Sequence, residues 1–146
     1  MQKLKSNFIN RMPDMPSVSR NILKSHPVLL KKISESCKIP REEVPELFTE
    51  VLRYLGLVAE THKRLAPSLI VDWAWHEFIL CTKPYSDFCQ EHFGRYIHHH
   101  PAEKENPGQF ALTLTYYFEF FGKPPEKYWG QTPEAMCSAC EADNNN

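Results

Sequence analysis

The sequence predicts an all-α fold, an irregular bundle of about five helices with a proline-interrupted C-terminal tail. Two observations carry that expectation. Apolar residues recur at spacings of three and four along segment after segment, and proline or glycine punctuates the ends of those segments. The two stretches with strand propensity do not compete well. Ser68–Val71 has no partner nearby, and Thr115–Phe118 lies inside a longer helical frame that a glycine ends.

Residues 1–16 hold Pro13 and Pro16 and lack clean periodicity, so they are expected to form a loosely ordered arm. Ser17 or Ser19 is placed to cap a first helix running to about Ser25. Pro27 suits the first turn of the next helix, where its missing N–H costs nothing. There Leu29, Leu30, Ile33 and Cys37 share a face, and Ile39-Pro40 ends the pattern. The strongest helix comes next, over residues 41–62, with Val44, Leu47, Phe48, Val51, Leu55 and Val58 in one stripe. Glu42 and Glu43 favour the positive end of its dipole, and Pro45 fits only in its first turn.

Ser68 is the expected cap of a helix reaching about Cys81. That helix is apolar nearly all round, the pattern of a central element. Thr82 and Pro84 open another helix, which Gly94 stops. A histidine loop and a polar linker lead to a helix over about 109–121, ended by Gly122. Tyr128 and Trp129 are expected to anchor the tail to the helical body. A single helical domain is therefore expected over 17–130. Residues 131–146 form a partly disordered tail carrying Cys137 and Cys140, with a short helix from Thr132.

Composition narrows the function classes. Hydrophobic residues at 42% and aromatics at 12% suffice for a packed core without a disulfide or metal to hold it. Lys plus Arg number 17 against 18 for Asp plus Glu. That balance gives no electrostatic reason to expect nucleic acid or an anionic membrane as partner. No apolar run approaches the roughly 18 residues needed to cross a bilayer, and the N-terminus lacks the apolar core of a secretory signal. A cytoplasmic protein is expected, whose five cysteines serve as thiols or metal ligands.

The chemistry concentrates in Val71–Pro101, which holds five of the seven histidines and two of the cysteines among large aromatics. Asp72 and His76 are four apart and share a helix face. A carboxylate there can orient an imidazole from behind a metal site, or merely satisfy it by a hydrogen bond. Tyr85, Phe88, Cys89 and His92 line one face of the next helix. Cys89 is a candidate ligand or a small core residue. In His98-His99-His100, neighbouring side chains of an extended loop point opposite ways, so at most two can serve one site. Cys137-x-x-Cys140 is half of a zinc site or a redox pair.

Packing the helices on either side of Cys81 antiparallel brings His76 toward Cys89, and the loop after Gly94 can return His98 or His99. The expected site is His76, Cys89, His98 and His99, with Asp72 behind, and His92, His100, Cys137 and Cys140 ranked lower. Its nitrogen and sulfur donors favour zinc, with iron second. The competing expectation is a metal-free protein-interaction module in which these residues form a polar-aromatic core. A third is a small enzyme, metal-dependent or using Cys89 as nucleophile beside His76 or His99.

One pattern resembles a known family. The blocks Asp72, Trp75, His76 and Leu80, then Thr82, Tyr85, Phe88 and Cys89, then Phe93, Gly94, His98, His99 and Pro101 look like the glycine-rich domain-containing protein-like domain, over roughly residues 45–101. The resemblance implies no established activity. Members often carry a glycine- and cysteine-rich tail, and the 146 residues depart from that with five glycines in all.

Overall fold

A computed structural model describes residues 12–100 and 106–130. Seven α-helices and one 3-10 turn stand among the described residues, with no strand. The arm's first residues and the tail from 131 on, including the helix expected at Thr132, lie outside the described residues.

α1 spans Met15–Ser25. Asp14, rather than Ser17 or Ser19, is its cap, accepting from the Ser17 N–H at 3.3 Å. Ser19 is instead buried and donates to the Pro45 carbonyl at 2.9 Å, tying α1 to the start of α3. α2 spans Pro27–Cys37, with Pro27 in its first turn as expected and Lys38 left-handed at its end. The 3-10 turn Arg41–Glu43 leads into α3, Val44–Thr61. α3 is the centre of the domain and packs against α1, α4 and α6. Its Val44, Leu47, Phe48, Val51, Leu52 and Leu55 are wholly enclosed. Gly56 has a packing reason. A Cβ there would meet Met12 Cε at 2.6 Å, so the chain entering α1 crosses α3 at this point.

α4 spans Leu69–Leu80, capped by Ser68, whose Oγ accepts from the Val71 N–H at 3.4 Å. Its all-round apolar pattern points to a central helix, and here the structure differs. Val71, Ala74, Trp75 and Phe78 are buried, while Trp73 and Leu80 keep 44% and 62% of their surface exposed. α4 does pack on α2, α3, α5 and α7, as a central helix should, but it leaves these two side chains outward.

α5 runs Thr82–Phe93 to a left-handed Gly94 (φ 72°). α6 runs Pro107–Phe121, opened by Asn106, whose Oδ1 accepts from the Gln109 N–H at 3.1 Å. α7, Glu126–Trp129, is one turn that buries Tyr128 and Trp129. Among the described residues, no helix is long and apolar enough to cross a membrane.

Candidate functional site

α4 and α5 meet at Cys81, and the six residues after Gly94 run back over both. Tyr85 on α5 is the hub. Its Oη accepts from Trp75 Nε1 at 3.1 Å and donates to the Ile97 carbonyl. Phe78 stands edge-on to its ring at 4.9 Å, and Tyr96 at 5.1 Å. Burial, above all, pushes the Tyr85 phenol far up, so it stays a neutral donor. Trp75 in turn packs on Tyr54 at 5.5 Å, whose hydroxyl donates to the Leu65 carbonyl at 2.9 Å. A buried aromatic chain with every polar tip partnered thus clamps the histidine loop to α4.

Over that core lies the expected Asp–His pair, with a different histidine. Asp72 Oδ1 is 2.8 Å from Nε2 of His99, not bonded to His76. The His99 ring rests on Trp75 at 4.3 Å, and both partners of the pair are half-buried. His76 faces solvent, its ring 6.3 Å from that of His99. Sequence spacing put Asp72 and His76 on one face, but the returning loop delivers a closer imidazole.

Cys89 is wholly enclosed near Tyr85 and the Ile97 backbone. Burial raises its thiol pKa, outweighing the nearby Ile97 backbone, the Tyr85 hydroxyl and the charge of Arg95. His98 turns outward onto Tyr96, with ring centroids 4.8 Å apart, and His100 lies 6.3 Å beyond it. His92 packs on Phe88 at 4.9 Å, with Glu91 4.0 Å away. Cys137 and Cys140 lie outside the described residues.

These positions correct the metal reading. Among the described residues, no three His, Cys, Asp or Glu side chains come together as ion ligands. His76 and His98 point to solvent, Cys89 is sealed under Tyr85, and His99 is taken by Asp72. The reading of the chain as a metal-binding domain is therefore corrected: His76, Cys89, His98 and His99, with Asp72, do not form one ligand cluster among the described residues. What this region makes is a polar-aromatic core of Trp75, Tyr85, Ile97 and Cys89 with the Asp72–His99 pair over it.

A second polar cluster was not anticipated. Glu50 on α3 is only 2% exposed. Its Oε1 accepts from Tyr117 Oη at 2.5 Å and Trp129 Nε1 at 2.9 Å, and its Oε2 from Arg53 at 3.1 Å. The same guanidinium nitrogen of Arg53 donates to Tyr117 Oη at 3.3 Å, and the group lies 5.5 Å over the Phe121 ring. Desolvation opposes the Arg53 charge, but Tyr117 and Glu50 hold its pKa above the ordinary value. The one available signal was a glutamate inside the apolar run LFTEVL.

Two cavities accompany these clusters. One of about 250 Å³ lies between the α3 and α5 C-termini, where Arg95 donates to the Val58 and Ala59 carbonyls. The other, of about 430 Å³, opens over Glu50 and Arg53 between α1, α3 and the Pro125 turn.

The UCP032817-like family model matches residues 6–118. This corrects the resemblance to the glycine-rich domain-containing protein-like family, which the match does not support. No curated protein matches the chain, and no solved structure does.

Proposed function

We propose that the chain, which belongs to the UCP032817-like family, is a metal-free protein-interaction module. The carrying observation is that Cys89 is enclosed and Asp72 and His99 bond each other, while Trp73 and Leu80 of α4 are left outward beside the exposed His76. Trp75, Tyr85, Ile97, Cys89 and the Asp72–His99 pair build the core. Trp73, His76 and Leu80, spaced three and four apart, form a stripe on the outside of α4. Exposed Trp is enriched where proteins meet. The spacing suits a partner helix carrying its own apolar residues at i, i+3 and i+7.

The nucleophile reading is less well supported. A thiol that is enclosed and held neutral reacts slowly. Iodoacetamide near neutral pH should leave Cys89 unmodified until the protein is denatured.

The test pairs wild type with Trp73→Ala/Leu80→Ser in quantitative affinity purification from the native source. A partner retained by wild type and by a folded Leu80→Ser control of equal helix content, but lost by the variant, which must itself remain folded by circular dichroism, supports the reading. Identical sets of co-purifying proteins would overturn it. So would one equivalent of metal in untagged protein that disappears in His76→Ala.

A further inference from the structure

The 430 Å³ cavity is lined by charges of both signs on an ordered wall. On α3, Glu46, Thr49, Glu50 and Arg53 face it at spacings of three and four. Glu42 extends the acidic end, and Arg20 on α1 stands on the opposite wall. Pro16, Pro45 and Pro125 supply rigid apolar surface.

At the floor, the buried Glu50 carboxylate does not face the cavity as a spare charge. Tyr117, Trp129 and Arg53 occupy three of its roughly four acceptor sites. Its effect is to fix Arg53, which is also held over Phe121. The guanidinium has five N–H donors in a fixed fork, and the bonds to Glu50 and Tyr117 come from a single one of its nitrogens. The rest of the fork belongs to a side chain that is 29% exposed on the cavity wall. A guanidinium positioned in this way suits a carboxylate.

The acidic end has a separate feature. Tyr128 is 2% exposed, and its hydroxyl has no hydrogen-bond partner among the described residues. Burial, and after it the charges of Glu46 and Glu43, raises its pKa. Lys127 engages Glu43, whereas Glu42 and Glu46 are exposed.

We propose that this cavity binds a short zwitterion of dipeptide size, with its ammonium on Glu46 and Glu42 and its carboxylate between Arg53 and Arg20. Seven residues of helix separate Glu46 from Arg53, a rise of about 10 Å. That distance leaves several ångströms between ligand charges once both side chains have reached in. The three prolines provide the surface for an apolar ligand side chain.

Glycyl-leucine is the probe, followed on the full chain by 1H–15N NMR titration, with N-acetyl-glycyl-leucine and glycyl-leucinamide each lacking one charge. Saturable shifts at Thr49 and the Arg53 Nε–H are expected, with each capped analogue binding at least about tenfold more weakly. Glu46→Gln, an exposed change that spares the Glu50 network, should weaken glycyl-leucine to the level of its N-acetyl form and leave that form unchanged. Arg20→Gln should do the same for the amide. No saturable shift in the low-millimolar range, or capped analogues binding as tightly as the parent, would overturn the proposal.

Discussion

Two carboxylates in this domain sit among aromatic hydrogen-bond donors, and they differ in depth. Glu50 is 2% exposed and bonds three side chains from α3, α6 and α7. Asp72 is half-exposed and bonds one imidazole from a loop. In the first region, water is excluded and every lost partner leaves a desolvated charge. In the second, solvent stands ready to replace whatever is removed. Similar residue types therefore serve different ends. The deep cluster joins helices distant in the chain, and the shallow one positions a surface loop at modest energetic consequence.

The sharpest way to break this contrast is Glu50→Ala. It strands Arg53, the Tyr117 hydroxyl and the Trp129 indole N–H, and should cost about 3–5 kcal/mol in urea denaturation. A loss under about 1 kcal/mol would mean that the deep cluster is energetically as shallow as the other. Tyr85→Phe removes the acceptor of Trp75 and the donor to Ile97 without changing the ring packing. It should cost about 1–3 kcal/mol and shift the amide resonances of residues 95–100. Asp72→Asn should cost under about 1 kcal/mol, because water can solvate His99 in its place. A larger loss would place this pair in the same class as Glu50. The smallest effect belongs to the outer face of α4. Leu80→Ser, at a side chain 62% exposed, should change stability by no more than about 0.5 kcal/mol in the isolated chain, which is what makes it the cleanest control for the binding variant.

Much of the fold was legible because its causes are local. Pro27 at a first turn, Ser68 as a cap, and Gly94 and Gly122 as stops all act within a turn of their own position. The anchoring of Tyr128 and Trp129 was legible as two large aromatics in an otherwise polar segment. Six of the seven helices answer to segments read one by one, one more than the rounded count of about five, and the seventh, α7, is one turn long, too short for a periodicity to register. Asp14 displaced the serine caps because Ser19 was needed inside, against Pro45.

The site was less legible. Clustering of His, Cys and aromatic residues correctly marked 71–100 as a place where polar side chains enter the interior. It pointed to the wrong consequence. Donor type and spacing are the same for a metal ligand set and for a satisfied polar core, and side-chain direction decides between them. That direction is set by the loop's path over Trp75, which no local pattern encodes.

The chain by itself determined where helices begin and end and which stripes are apolar, since capping, proline geometry and helical period act over a few residues. Only the tertiary structure decided that Asp72 meets an imidazole 27 positions away instead of one four away, and that Glu50 meets an indole 79 positions away. Those partners are selected by how whole helices pack and by which carboxylates lose their water in the process, a property of the assembled bundle and of no segment within it.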